Sequence, residues 1–120
     1  MMSVTILIVD DSEYMRDIIS QTLEVKDYTV LQAYNGKEGL DVFKSNTLDL
    51  IITDINMPEM DGITFIKEIR KINSSLPVIV LTTESVDSKK QDAMGAGANG
   101  WVVKPFSPVN FLAMIEDVLN

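Results

Sequence analysis

Four short apolar runs in this chain each end in a residue able to handle a phosphate or a metal ion. Val4-Thr5-Ile6-Leu7-Ile8-Val9 stops at Asp10-Asp11, and Leu48-Asp49-Leu50-Ile51-Ile52-Thr53 stops at Asp54. Pro77-Val78-Ile79-Val80-Leu81 stops at Thr82-Thr83, and Trp101-Val102-Val103 stops at Lys104-Pro105. Runs this apolar read as strands covered on both faces. Segments of helical period lie between them, the pattern of βα units around a parallel sheet. Strands are expected near 4–9, 28–33, 48–53, 77–82 and 99–103, each followed by a helix. Ligands of open α/β sheets bind outside the carboxyl ends of the strands. At that edge Asp10, Asp11, Asp54, Thr82 and Lys104 meet, a site suited to Mg²⁺ and a phosphoryl group.

The helix starts carry their own signals. Ser12 is placed to cap a helix with Met15, Ile18, Ile19 and Thr22 inward. Asn35 with Glu38 resembles a capping box, ahead of Leu40 and Phe43. Asp61 caps a third helix, with Ile63, Ile66, Ile69 and Ile72 on one stripe. Ser107-Pro108 is an N-cap followed by proline at N1, opening a last helix that aligns Phe111, Ile115, Val118 and Leu119. The helix near 85–96 differs. Ser85-Val86-Asp87-Ser88-Lys89-Lys90-Gln91-Asp92 has almost no apolar stripe and is followed by Gly95 and Gly97. It is expected to pack weakly, and weakly packed elements move.

At 120 residues the chain is long enough for one ordinary domain, read here as residues 1–120 with no attached output domain. A net charge of −8 disfavours nucleic acid and anionic membrane surfaces. The basic pairs Arg70-Lys71 and Lys89-Lys90 are too short to override it. Without cysteine or histidine the chain has no thiolate site and no Ser-His chemistry, and most zinc chemistry is closed to it. No apolar stretch reaches membrane-spanning length, so a cytoplasmic location is expected.

Three carboxylates at one edge repel each other unless a cation joins them, and hard Mg²⁺ prefers oxygen ligands. Helix capping is the plainer reading for Asp11 alone, a turn residue for Asp54, an exposed side chain for Lys104, and a cap for Thr82. The grouping is what argues against all four. Asp54 ends a mostly apolar strand, and a carboxylate there can attack phosphorus to give an aspartyl phosphate. Lys104 can pair with that carboxylate and then with a phosphate oxygen. The proline after it ends the strand and, if its bond is cis, fixes the lysine's direction. Gly62, at the start of the third helix, reads as a bland N1 residue beside a crowded loop.

The four motifs Val9-Asp10-Asp11, Thr53-Asp54-Ile55-Asn56-Met57-Pro58-Glu59-Met60-Asp61-Gly62, Leu81-Thr82 and Gly100-Trp101-Val102-Val103-Lys104-Pro105-Phe106 together resemble the receiver domain of two-component response regulators. The likeness is strongest to the single-domain chemotaxis (CheY-like) type and covers essentially the whole chain. It implies a doubly wound (βα)5 fold, flavodoxin-like, with strand order 2-1-3-4-5. It also implies that Asp54 accepts a phosphoryl group from a histidine kinase, and that Asp11, Asp54 and the Asn56 backbone carbonyl ligate Mg²⁺. Asp10 would act through water, and Thr82 and Lys104 would hold the phosphoryl oxygens. Asn56 and Glu84 fall at positions that tune autodephosphorylation. Such a protein is a signalling phosphoacceptor, with self-phosphorylation and autodephosphorylation as its only activities.

Two residues depart from the family pattern. Trp101 stands where tyrosine or phenylalanine is usual, in the ring position that swings inward on activation. Thr83 stands where a small residue is common, and its bulk narrows access to the site. Activation is expected to draw Thr82 inward and alter the face made by helix 85–96, strand 99–103 and helix 107–119. Met94, Trp101, Leu112 and Met114 are the candidate docking residues on that face. The implied partners are a histidine kinase and a flagellar motor switch protein or phosphatase, with the chain itself a monomer. A phosphate sink or relay intermediate is the alternative role. Three rival readings stand beside these. A haloacid-dehalogenase-like phosphohydrolase needs an acid two residues after the nucleophile, where this chain has Asn56. A flavodoxin-like flavin binder needs an uncharged loop where Asp10-Asp11-Ser12-Glu13 stands. The third is an interaction module with a silent site.

Overall fold

A computed structural model describes residues 3–120; Met1 and Met2 of the expected domain lie outside the described residues. Strands β1 (Thr5–Val9), β2 (Thr29–Ala33), β3 (Leu50–Thr53), β4 (Val78–Thr82) and β5 (Gly100–Val103) alternate with five helices. These are α1 (Glu13–Glu24), α2 (Gly36–Ser45), α3 (Gly62–Ile72), α4 (Asp87–Ala96) and α5 (Pro108–Leu119). The strands form one parallel sheet in the order β2-β1-β3-β4-β5, the order implied by the resemblance. Alternate residues of each strand feed opposite cores. Leu7, Val9, Ile51, Val78 and Val80 meet Phe65, Ile66, Ile69 and Ala93 on the side of α2, α3 and α4. Ile6, Ile8, Ile52, Ile79 and Leu81 meet Ile19, Leu23, Phe111 and Ile115 on the side of α1 and α5.

The strand register sets the height of each strand end. Val9 pairs with Thr53, Thr53 with Val80, and Val80 with Trp101. Asp10 and Asp54 therefore leave the sheet at one level. β4 and β5 run two residues further, to the pair Thr82 and Val103. Lys104 follows Val103 and stands above the carboxylates, and its long side chain spans the difference.

The caps read from the sequence are present. Ser12, Asn35, Asp61 and Ser107 each accept a backbone N–H from the first turn of α1, α2, α3 and α5. Glu38 reaches back to the N–H of Tyr34 at 3.0 Å, one residue before the box geometry expected of it. Two apolar stripes are turned from where the spacing put them. On α1 the buried positions are Ile19, Ser20 and Leu23, while Ile18 and Thr22 are half-buried beside α5. On α3, Phe65 joins Ile66 and Ile69 inside, and Ile72 is 59% exposed.

α4 is the loosely held element. It has no side-chain N-cap bond, and Ala93 is its one buried residue. Its far end is fixed instead. Arg70 of α3 donates through Nε and Nη2 to the Gly97 carbonyl, at 3.1 and 2.8 Å. The same guanidinium donates to the Leu76 carbonyl at 2.6 Å. Gly95 adds to the looseness, because a Cβ placed there would meet nothing within 4 Å. Glycine in a helix costs about 0.5–1 kcal/mol relative to alanine. Gly95→Ala is therefore expected to stabilise the chain by about 0.5 kcal/mol in urea unfolding and to slow amide exchange along α4; unchanged exchange would contradict this account of α4.

Candidate functional site

Asp10 is pinned by all its polar atoms. Its N–H donates to the Ala33 carbonyl at 3.1 Å and its Oδ1 accepts the Ser12 N–H at 2.9 Å. Its Oδ2 takes the Lys104 ammonium at 2.6 Å. Asp54 is fixed in a similar way. Its N–H donates to the Val9 carbonyl at 2.9 Å, and its Oδ1 accepts the Ile55 N–H at 2.6 Å. Its Oδ2 lies 3.2 Å from Lys104 Nζ. One ammonium, 8% exposed, thus joins two carboxylates from different strands. The Lys104-Pro105 bond is cis.

Asp11 is the exposed member of the group, and ligand oxygens of Asp10, Asp11 and Asp54 all lie within 4.8 Å of one another. Burial pushes the Asp10 carboxyl above its ordinary value, and the Asp54 charge adds to this against the pull of Lys104 and the Ser12 amide. Burial alone would lower the Lys104 ammonium. The Asp10 hydrogen bond and the charges of both carboxylates outweigh it and hold the lysine above its ordinary value. Three carboxylates against one ammonium leave negative charge unbalanced in a half-dry pocket. An all-oxygen donor set with one exposed member fits a hard divalent cation that keeps some of its waters.

The pocket is open. The Asp54 side chain is 11% exposed and lines a groove of about 590 Å³. Asp10, Asp11, Thr83 and Lys104 share the polar end, and Met15, Ile18, Phe106 and Pro108 form the apolar walls. Thr83 is exposed and lines the same groove.

The other candidates lie around this centre. Thr82 is fully buried at the end of β4, its Oγ1 accepting the Glu84 N–H at 3.1 Å and its carbonyl accepting the Lys104 N–H at 2.7 Å. Its hydroxyl is thus turned into the β4–α4 loop and keeps its own proton to donate. Asn56 is exposed, and its Nδ2 faces Glu84 Oε2 at 3.5 Å across the rim. Trp101 is half-buried in the middle of β5, packed on the α3 and α4 side of the sheet. The expected docking group is divided. Met94 is 41% exposed on α4, whereas Leu112 and Met114 pack with the α1 and α5 core. Leu112 lines a groove with Ile18, Thr22 and Val25 of the α1 side, away from Met94.

Gly62 is more than a bland N1 residue. A Cβ there would sit 2.1 Å from the Asp54 carbonyl oxygen and 2.9 Å from Ile55 Cα. Its N–H donates to the Ile55 carbonyl at 2.8 Å. The loop between β3 and α3 folds back on itself through a three-residue turn in which Met60 N–H meets the Pro58 carbonyl at 2.7 Å. Glu59 at its centre has φ +66°, a conformation that non-glycine residues seldom adopt. The missing Cβ of Gly62 lets that fold-back lie directly against the Asp54 backbone. A glycine eight residues after a strand aspartate carries no chemical signal of its own, which is why spacing alone undervalued it.

Comparison with known proteins agrees with this geometry. Residues 6–116 match the response regulator receiver domain family. The chain is 40% identical to the chemotaxis protein CheY of Bacillus subtilis, over 96% of this chain and 97% of that one. It is also 40% identical to a probable transcriptional regulator, ycf27, of Cyanidium caldarium, but spans only 46% of that protein's length. The solved structure of Vibrio cholerae chemotaxis protein CheY4 superposes with a TM-score of 0.89 at 38% identity, covering 98% of this chain and 99% of that one. A family match over residues 6–116 and a 40% identical relative covered almost end to end place the chain in the receiver-domain family of two-component response regulators.

Proposed function

We propose that this chain, as one receiver unit, is a phosphoacceptor whose Asp54 takes a phosphoryl group from a histidine kinase and switches the α4, β5 and α5 face. The observation that carries the proposal is the setting of Asp54. Its carboxylate opens on a groove, is held by backbone and by Lys104, and sits among two further carboxylates. A carboxylate oxygen of Asp54 attacks phosphorus, the P–N bond to the donor imidazole breaks, and its electron pair leaves on the ring nitrogen. In-line transfer of this kind needs positioning and charge neutralisation more than covalent help. Asp11, Asp54 and the Asn56 carbonyl would hold Mg²⁺ directly and Asp10 through water. When bound, Mg²⁺ supplies the positive charge that lets the carboxylates and a phosphoryl group share one pocket.

Lys104 neutralises a phosphoryl oxygen as it leaves its pairing with Asp54. The Thr82 hydroxyl donates to a second. Because Thr82 Oγ1 also receives the Glu84 N–H, its movement pulls the β4–α4 loop, and α4 is the element least held by the core. Space vacated by Thr82 invites the Trp101 ring inward. Asn56 and Glu84 flank the approach of water and set the lifetime of the aspartyl phosphate. The output is recognition of the changed face by a target such as a flagellar motor switch protein or a phosphatase, in chemotaxis or motility signalling. Action in the cytoplasm as a monomer is part of this reading; no helix among the described residues is long and apolar enough to cross a membrane.

Incubation with Mg²⁺ and a small acyl phosphate is expected to add one phosphoryl mass to the native chain and none to Asp54→Asn; equal labelling of both would refute the assignment. Trp101 is the only tryptophan. Its fluorescence is expected to change when a phosphoryl mimic binds with Mg²⁺, and a constant spectrum at proven occupancy would remove Trp101 from the switch. Asp10 gives a third check. Its raised value means that the folded state holds the Asp10 proton more firmly than the unfolded state, so its ionisation opposes folding as pH rises past 3.8. Asp10→Asn is expected to raise the metal-free melting temperature at pH 7 and to blunt the further rise that Mg²⁺ gives the native chain. A lower metal-free melting temperature would contradict this.

A further inference from the structure

Arg16 lies one turn into α1 and points at the site from behind. Its Nη1 donates to the Asp10 carbonyl oxygen at 2.7 Å. Its Nε donates to Gln32 Oε1 on β2 at 3.1 Å. The Gln32 amide in turn donates through Nε2 to Ser20 Oγ at 2.8 Å, one turn further along α1. The guanidinium is therefore aimed by an amide that is itself anchored, and a planar fork of this kind holds direction better than an ammonium.

The Asp10 carbonyl belongs to the peptide that leads into Asp11. Asp10 itself is held by the Ala33 carbonyl, the Ser12 amide and Lys104. Asp11, exposed, follows on that peptide, and its ligand oxygen lies within 4.8 Å of those of Asp10 and Asp54. We propose that Arg16 is a positioning residue for the divalent-cation site, fixing the Asp10-Asp11 peptide through the chain Ser20–Gln32–Arg16–Asp10 carbonyl. The inference rests on the reading of the three aspartates as a Mg²⁺ site.

Two physical effects of Arg16 have opposite signs, which makes the proposal decidable. Its positive charge near a cation site disfavours Mg²⁺, and removing that charge alone would tighten binding. Its hydrogen bonds orient the ligand-bearing peptide, and partners that orient metal ligands are typically worth about 10–100-fold in affinity. The proposal requires orientation to win.

Calorimetric titration with Mg²⁺ alone, without any phosphodonor, reads this directly. Arg16→Met is expected to weaken Mg²⁺ binding by about 10-fold although it deletes a like charge. Arg16→Lys, able to reach the Asp10 carbonyl but not Gln32 as well, is expected to recover part of the loss. Gln32→Leu, which leaves Arg16 in place but unaimed, is expected to weaken binding by a smaller factor. Val30→Ala on the same strand serves as a stability control and is expected to leave affinity unchanged. Arg16→Met or Gln32→Leu binding Mg²⁺ as tightly as the native chain, or more tightly, would overturn the positioning role. A native chain that binds no Mg²⁺ would overturn the cation site itself, and the inference with it.

Discussion

The Lys104 ammonium, held between Asp10 at 2.6 Å and Asp54 at 3.2 Å, is the contact on which the site depends. It joins residues 94 and 50 positions apart in the sequence. Only the parallel order of the sheet brings them together, since β1 and β3 are neighbours while β5 lies two places further along. A pair this buried gains little net stability, because removing two ions from water offsets most of their attraction. Its value lies in specificity of geometry. Asp10 and Asp54 are held close to each other, at a cost that a divalent cation can relieve. The fold thus holds a carboxylate cluster in a state that binding improves.

The connection from that cluster to the surface is mechanical and short. Lys104 N–H meets the Thr82 carbonyl, and the Thr82 hydroxyl meets the Glu84 N–H at the start of the loop into α4. Beyond that loop, α4 buries one residue and has no capping side chain at its N-terminus. Its other end is fastened to the Arg70 guanidinium through the Gly97 carbonyl. The helix is thus fastened at its far end and loosely held at the end nearest the site. Few buried contacts and unsupported first-turn amides are the features that place an element at the low-stability end of a fold.

Much of this was legible in the sequence because the signals are local. Apolar runs marked four of the five strands, the run at β2 being broken by Gln32, and Ser12, Asn35, Asp61 and Ser107 marked four helix starts. The weakness of α4 was legible in the polar run from Ser85 to Asp92. The grouping of Asp10, Asp11, Asp54 and Lys104 followed once those strands were taken as parallel. What escaped depends on depth and backbone contact. The period of α1 does not say that Ile18 and Thr22 face a groove beside α5 while Leu23 goes inside. Ile72 has the right spacing for the α3 stripe but ends the helix and is exposed. Leu112 and Met94 are both apolar and partly exposed, yet the sheet separates them. Gly62 lies against the Asp54 carbonyl and Arg16 donates to that of Asp10, and nothing in a residue's identity announces a contact with a distant backbone atom.

The account stands on one covalent bond at one side chain. Borohydride reduces an acyl phosphate of aspartate to homoserine, so the chain can be charged with a small acyl phosphate in Mg²⁺, reduced and mapped by peptide mass spectrometry. The account predicts homoserine at position 54 and at no other of the carboxylates, with Asp10 and Asp11 unaltered. Homoserine at Asp10 or Asp11, or none anywhere after proven exposure to donor and metal, would contradict it.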